Sequence, residues 1–314
     1  MTKKKKIPSI VKEIQSFKPD EINFAYQKNI SYSQLSMYTQ CPKKWSLQYR
    51  EGHKVYEQSI HMTFGTALHE TIQHYLDVMY EVSGAEADRI NLTEYFEDRL
   101  RDLYKEGYQK NEGHYSTPEQ LREFFEDGIE ILNFIKKKRG QFFSKKGWYL
   151  VGCEIPIIIT PNKRYKNVIY QGFIDVVLYH EPTNTFKIID IKTSTKGWSD
   201  KEKKDESKQF QLVLYKKYFS EEFNVSIDNI DIEFFIVRRK VWENADFPIG
   251  RVQLWKPASG KVKLNKATKN VEDFITQAFT QDGYAEKEYE PVINDNCKWC
   301  PFFKTHLCSA TFPN

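Results

Sequence analysis

Three runs of β-branched and aromatic residues follow one another near the middle of the chain, and they constrain its fold more than any other feature. The runs are WYLVGCEIPIIIT, IYQGFIDVVLYH and TFKIIDIKTS. The segments between them, PNKRYKN and EPTN, contain the proline and asparagine residues that favour tight turns. Because β-branched and aromatic side chains favour extended backbone, this pattern predicts three successive strands joined by hairpins.

Helical patterns lie on both sides of these strands. Apolar residues recur every three to four positions in residues 64–80, 92–109 and 118–138, which predicts three amphipathic helices. Farther along, residues 201–219 and 271–279 have helical patterns, and residues 231–241 return to a strand pattern. This order of helices, three strands, a helix and a strand predicts an α/β fold.

We divide the chain nominally into four parts. Residues 1–29 form a basic N-terminal tail, 30–145 a helical region, 146–260 an α/β core, and 261–314 a C-terminal helix with a cysteine-bearing segment. No internal repeat or long Gly/Ser linker separates the helical region from the core. We therefore expect these two parts to pack together.

The composition excludes several classes of protein. Hydrophobic residues make up 40% of the chain, which excludes a disordered or collagen-like protein. No apolar stretch approaches the roughly 18 to 20 residues that span a bilayer, and the start, MTKKKKIPSIVKEI, lacks the apolar core of a signal peptide. We expect a soluble, cytoplasmic protein with no membrane partner.

Three carboxylates in the predicted strands are candidates for chemistry. Glu154, Asp175 and Asp190 lie in successive strands, and Lys192 shares a strand face with Asp190 because side chains alternate with a period of two. Clustered carboxylates favour Mg²⁺ or Mn²⁺, which acidifies a water for phosphodiester hydrolysis while an ammonium stabilises developing negative charge. Two structural alternatives remain, a buried Asp190–Lys192 ion pair and solvation at a strand end.

The cysteines are too few and too unevenly spaced for a secreted disulfide framework. Cys297 and Cys300 form one Cys-x2-Cys pair, Cys308 follows, and Cys41 lies more than two hundred residues upstream. A zinc ribbon normally contains two Cys-x2-Cys knuckles, so this spacing is unusual for zinc. Zinc and free buried cysteines remain alternatives, and Cys153 is expected to be a small buried hydrophobe.

Six sequence pieces together resemble one enzyme family. YSQLSMYTQCPKKW, GTALHE, GFID, DIKTS, QLVLY and CKWCPFF occur in the order of the PD-(D/E)XK nuclease superfamily, specifically its RecB-type exonuclease branch of AddB-like and CRISPR-adaptation nucleases. The resemblance implies a restriction-endonuclease-like core with a central mixed sheet flanked by helices. It also implies a helical insertion and an iron–sulfur patch that joins the N- and C-terminal regions.

The resemblance also implies roles for individual residues. Asp175 of GFID, Asp190 of DIKTS and His69 of GTALHE would bind Mg²⁺ or Mn²⁺, with Ile191 also in the metal site. Lys192 would orient or activate water and stabilise the transition state. By itself, His69 on a helix flank is more typical of a satisfied surface or core histidine.

Three more residues join the implied site. Gln211 and Tyr215 of QLVLY match a Q-x-x-x-Y motif that supports the active site and contacts DNA, although their i,i+4 spacing equally suits a core tyrosine beside an amide. Glu154 is an additional candidate acid, ranked below the two aspartates because its neighbour Cys153 alternates to the opposite face.

For the cysteines, the resemblance implies that Cys41, Cys297, Cys300 and Cys308 hold a [4Fe–4S] cluster, since four thiolates suffice for one. The cluster would fasten the beginning of the chain to its end, much as a long-loop crosslink does. His306 is an alternative to Cys308 as the last ligand.

These inferences lead to a metal-dependent DNA exonuclease that acts on single-stranded ends, in DNA repair, recombination or phage DNA metabolism. The chain lacks the G-x-x-x-x-G-K-[ST] loop of a helicase motor, so unwinding would require a helicase or recombination partner. The alternatives are a nuclease-fold DNA-binding subunit with weak cleavage and a zinc-stabilised interaction module.

Basic clusters indicate where DNA would lie. They occur at residues 43–44, 136–139, 201–208 and 238–240, although most such runs are solvated faces. Trp45, Trp198 and Trp242 lie near them and are candidates to stack unpaired bases, with packing as the alternative.

Overall fold

A computed structural model describes residues 6–53, 58–241 and 250–312 of the chain. Its strands are β1 (Lys28–Ile30), β2 (Trp148–Ile159), β3 (Val168–His180), β4 (Thr185–Ser194), β5 (Ile230–Arg238) and β6 (Val252–Trp255). Its helices are α1 (Ser9–Gln15), α2 (Tyr32–Gln40), α3 (Pro42–Trp45), α4 (Ile60–Glu81), α5 (Gly84–Arg89), α6 (Leu92–Asn111), α7 (Pro118–Phe142), α8 (Asp200–Lys204), α9 (Glu206–Glu222) and α10 (Lys261–Ala278). No helix among the described residues is long and apolar enough to span a membrane.

The chain forms two compact units. The first contains residues 1–18, 57–155 and 173–258, and the second contains residues 19–56, 156–172 and 259–314. Each unit is therefore assembled from segments that are far apart in the sequence.

The first unit contains a mixed sheet. β3 and β4 pair antiparallel, β4 and β5 pair parallel, and β5 and β6 pair antiparallel, while β2 pairs with β3. The parallel pairing runs from Phe186 opposite Ile230 to Ser194 opposite Arg238. The α/β fold with a central mixed sheet is confirmed, and β6 is a strand that sequence patterning did not predict.

Helix α4 carries one of the candidate site residues on a well-anchored backbone. Ser59 caps the helix by accepting a hydrogen bond from the Met62 amide, so the helix begins four residues before the predicted start. The predicted stripe of Phe64, Leu68, Ile72, Leu76 and Met79 is buried in the core. The helix packs against α5, α6, α7 and β4.

Gly65 lies where α4 approaches strand β4 closely. A β-carbon at this position would lie 3.1 Å from the Thr193 hydroxyl oxygen at the end of β4. The glycine of GTALHE therefore permits a tight helix–strand approach, which brings the following turn of α4 beside the strand ends.

The predicted helix over residues 201–219 is interrupted. α8 ends at Lys204, and Asp205 adopts extended backbone and caps α9 by accepting a hydrogen bond from the Ser207 amide. Because the Asp205 side chain accepts a hydrogen bond from a backbone amide, it favours the start of a new helix over continuation of α8, and a continuous helix does not form.

The second unit has an aromatic core. Trp45 is fully buried, and its ring packs edge-on against Tyr38, Phe274, Phe279 and Tyr289. In this unit β1 pairs in parallel with the first residues of β3, Val168 to Tyr170. The last helix, α10, begins at Lys261, ten residues before the predicted start, with Gly260 as its N-cap.

Candidate active site

Strand register in the first unit brings the two aspartates together. Val176 of β3 pairs with Ile189 of β4, and Asp175 and Asp190 are the next residues beyond this pair. Directly opposed residues on antiparallel strands point to the same face. Asp175 Oδ2 accepts a hydrogen bond of 2.6 Å from the Ile191 amide, which fixes its carboxylate beside β4.

Lys192 links Asp190 to helix α9. Its Nζ donates to Asp190 Oδ1 at 3.1 Å and lies 2.8 Å from Oδ2. The same Nζ donates to Gln211 Oε1 at 3.1 Å, and Gln211 Nε2 donates to the Tyr215 hydroxyl at 3.3 Å. Gln211 and Tyr215 of the Q-x-x-x-Y motif therefore restrict the position of the Lys192 ammonium. The Asp190–Lys192 ion pair, which the sequence offered as a structural alternative to a metal site, is present and lies within the candidate site.

Helix α4 directs His69 towards the carboxylates. His69 Nε2 lies 3.5 Å from both Glu154 Oε1 and Asp175 Oδ2. One ligand atom from each of these three residues lies within 4.8 Å of the other two. This placement would allow His69 to serve as a metal ligand together with the two carboxylates.

Glu154 belongs to this group although strand alternation ranked it lower. Its φ of 51° is left-handed, a conformation that costs a non-glycine residue on the order of 1 kcal/mol. The local distortion of β2 directs the Glu154 carboxylate to His69, while Cys153 Sγ donates to Asp77 Oδ1 at 3.7 Å. Period-two alternation cannot reveal such a distortion.

Gln73 is a site residue that the sequence interpretation missed. It is buried on α4, one turn after His69, and its Nε2 lies 2.7 Å from Glu154 Oε1, 2.8 Å from the Asp175 carbonyl oxygen and 2.9 Å from His69 Nε2. The i,i+4 spacing in HETIQ was the available signal, because residues with this spacing share a helix face.

Burial and charge shift the titration of the site. Burial, followed by the negative charge of Asp190, raises the pKa of Asp175 well above its ordinary value. Burial alone lowers the pKa of Lys192, but the carboxylates of Asp190 and Asp175 outweigh it, so the net pKa is raised. Burial lowers the pKa of His69 and raises that of Tyr215 to about 12.

The arrangement fits a hard divalent cation. The donors are one imidazole nitrogen and carboxylate oxygens, which Mg²⁺ and Mn²⁺ accept. Asp190 Oδ2 is buried, and the Lys192 ammonium 2.8 Å away balances its charge. The side chain of Ile191 has no ligand atom, so its main-chain carbonyl is the group through which it would join such a site.

In the second unit four cysteines meet around one cavity. Cys41, Cys297, Cys300 and Cys308 all line it, whereas His306 does not. Cys41 Sγ accepts a hydrogen bond from the Lys44 amide at 3.4 Å. Within residues 6–53, 58–241 and 250–312, no three cysteine sulfurs lie within 4.8 Å of one another.

One of the basic clusters is paired with carboxylates, and two of the three tryptophans pack against other side chains, as expected for packing residues. Arg239 and Lys240 pair with Glu123 and Asp127 of α7, so their charges are largely neutralised. Trp45 is buried and Trp198 packs on Phe234 and Trp255, which agrees with packing, while Trp242 lies outside the described residues. Trp299, between Cys297 and Cys300, is 85% exposed.

Comparisons with known proteins place the chain in a family. The chain is similar to a crystal structure named "Putative exonuclease" from Eubacterium rectale, with 12% identity and a TM-score of 0.45 over 82% of this chain and 84% of that one. None of the curated proteins compared matches the chain. The model of the PD-(D/E)XK nuclease superfamily matches residues 29–305, which include every candidate active-site residue but not Cys308, and the chain therefore belongs to that superfamily.

Proposed function

We propose that this protein is a metal-dependent exonuclease that degrades single-stranded DNA from its ends. One observation carries the proposal: His69, Glu154 and Asp175 present three ligand atoms within 4.8 Å of one another, directly beside the Asp190–Lys192 pair. Cation ligands next to an ammonium are what hydrolysis of a phosphodiester requires.

The residues of the chain divide the chemical work. His69, Glu154, Asp175 and Asp190 would hold the ion, with the Ile191 carbonyl as a further oxygen. Bound Mg²⁺ or Mn²⁺ would polarise the phosphoryl oxygen and acidify a water.

Lys192 would stabilise negative charge on the scissile phosphate. The hydrogen bond from its ammonium to Gln211 and the contact of Gln211 with Tyr215 restrict its position. An ammonium held in advance costs little reorganisation when negative charge develops, which is why such groups accelerate phosphoryl chemistry.

The substrate and pathway follow from the RecB-type resemblance of the sequence. We propose single-stranded ends as the substrate and repair, recombination or phage DNA metabolism as the setting, with a helicase or recombination protein as a partner for duplex DNA. The resemblance is carried by six motifs in family order, of which GTALHE, GFID, DIKTS and QLVLY contribute side chains to the site.

We further propose that the four cysteines of the second unit hold a [4Fe–4S] cluster. The resemblance of the cysteine spacing to the RecB-type pattern supports this assignment. All four cysteines also line one cavity, as the ligands of a single cluster must. Placement of Cys308 on the cavity favours it over His306 as the fourth ligand.

The nuclease proposal is tested with end-labelled linear and circular single-stranded DNA of one sequence, incubated with Mg²⁺, Mn²⁺ or EDTA. We expect metal-dependent shortening of the linear strand and an intact circle. An Asp190→Asn protein purified in parallel controls for contaminating nuclease.

Two other outcomes would contradict the proposal. Equal cleavage of the circle would make the protein an endonuclease. Tight DNA binding without cleavage in either metal would favour the nuclease-fold DNA-binding subunit.

A further inference from the structure

Gln73 ties three elements of the site together through one amide group. Its Nε2 reaches Glu154 of β2 at 2.7 Å, the main-chain oxygen of Asp175 in β3 at 2.8 Å, and His69 of its own helix at 2.9 Å. We propose that Gln73 is a positioning residue that sets the affinity of the site for its divalent cation, an inference that rests on the proposed function.

A count of hydrogens supports this role. A glutamine amide nitrogen carries two hydrogens, and both an ionised carboxylate and a peptide carbonyl are acceptors only. The two shorter contacts, to Glu154 and to the Asp175 carbonyl, therefore use both hydrogens. No hydrogen of Gln73 is left for the contact with His69 Nε2 at 2.9 Å, so Gln73 does not occupy the ring nitrogen that would bind the cation.

The orientation of the amide is determined by the same contacts. Turning the amide over would place Gln73 Oε1 against Glu154 Oε1 and the Asp175 carbonyl oxygen, two acceptors that repel it. With the amide as described, the group holds the donor atoms of α4, β2 and β3 at the short mutual distances that one ion requires.

Glu154 needs this support more than the aspartates do. Its side chain is 52% exposed and its backbone is left-handed, whereas Asp190 is buried and paired. A half-exposed carboxylate loses rotamer freedom when it binds an ion. Gln73 restricts that freedom before binding, which raises affinity without providing a ligand atom.

A purely structural role is the alternative, because a buried glutamine also fastens α4 to the sheet. The two roles differ in what the loss of the amide changes. A positioning role lowers cation affinity in a folded protein, whereas a structural role lowers thermal stability and leaves the affinity of the folded protein unchanged.

The test replaces Gln73 with methionine, which has similar length and no hydrogen-bond donor. Mn²⁺ affinity is measured by calorimetry without DNA, and thermal stability is measured in EDTA. We expect affinity to fall by about 10- to 100-fold, the usual effect of losing a group that orients a metal ligand. Gln73→Asn, which keeps the amide but is one methylene shorter, should also weaken Mn²⁺ binding and serves if the methionine variant does not fold.

Gln209→Met is the matched control. Gln209 is also a buried glutamine of the first unit, and its side chain donates to the Lys203 carbonyl at 2.7 Å, outside the ligand group. Its Mn²⁺ affinity should equal that of the unaltered protein. Unchanged Mn²⁺ affinity in folded Gln73 variants would overturn this inference alone, whereas an unaltered protein that binds no Mn²⁺ would overturn the proposed function as well.

Discussion

The Lys192 ammonium lies 2.8 Å from Oδ2 of Asp190, a carboxylate that is only 1% exposed. Both side chains come from one strand face of β4, two residues apart. The pair thus joins a buried charge to a candidate catalytic group, and removing either partner leaves the other without its counter-charge.

Replacement of Lys192 by alanine should slow cleavage more than it weakens DNA binding. If the ammonium acts in the transition state, the single-turnover rate at saturating DNA should fall by about 10²-fold or more. DNA affinity, measured by fluorescence anisotropy, should change little, because many basic residues contribute to it.

The control for this variant is Lys187→Ala. Lys187 also lies on β4 and pairs with the buried Glu233 at 3.2 Å, so its loss breaks a comparable ion pair outside the site. That variant should be destabilised yet cleave at the normal rate. Weaker DNA binding with an unchanged saturated rate in Lys192→Ala would instead assign the lysine to substrate holding.

Asp175→Asn should stabilise the metal-free protein in a pH-dependent manner. The pKa of Asp175 is raised from 3.8, first by burial and then by Asp190, so the folded state retains a proton that the unfolded state loses as pH rises. The stability that this proton provides is present below pH 3.8 and is lost as pH rises through the folded-state pKa. Asparagine does not ionise, so the Asp175→Asn protein does not lose this stability as pH rises.

In EDTA at neutral pH the Asp175→Asn protein should therefore unfold at a higher temperature than the unaltered protein. The difference should disappear near pH 3.8 and below. An aspartate that stabilises the metal-free fold at neutral pH would give the opposite sign.

Glycine and alanine at position 154 should separate backbone strain from metal binding. The left-handed backbone of Glu154 suits glycine, so Glu154→Gly should be more stable than Glu154→Ala by about 1 kcal/mol in chemical denaturation without metal. Both variants should bind Mn²⁺ at least about 10-fold more weakly. Equal Mn²⁺ affinity in all three proteins would remove Glu154 from the metal site.

Anaerobically purified protein should contain four iron and four sulfide per chain if the cysteine cavity holds a [4Fe–4S] cluster. Cys41→Ala should lose both and unfold at a lower temperature, because cluster assembly couples to folding. Cys153→Ala is the control, since Cys153 belongs to the other unit and contacts Asp77. Colourless protein with one equivalent of zinc would establish the zinc alternative.

Part of the site could be predicted from the sequence because strand geometry is regular. The period of two predicted that Lys192 shares a face with Asp190, and the structure confirms this relationship. The short turn between the second and third predicted strands indicated a hairpin, whose register then brings Asp175 beside Asp190.

The remainder depended on irregular backbone and on contacts distant in sequence. The left-handed conformation of Glu154 breaks strand alternation, and no local pattern reports it. The role of Gln73 depends on how closely α4 approaches the sheet at Gly65. The interruption at Asp205 required recognising that its side chain caps the next helix.

The most direct test of the account is to measure cleavage and DNA binding by Asp190→Asn in parallel with the unaltered protein, in Mn²⁺ and at saturating single-stranded DNA. The substitution keeps the size of the side chain and removes its charge. The account predicts a cleavage rate at least about 10²-fold lower. With EDTA in place of Mn²⁺ the variant should bind DNA as tightly as before or more tightly, because without a bound cation the substitution removes only an anion. Full cleavage activity in Asp190→Asn would contradict the account and place the active site elsewhere in the chain.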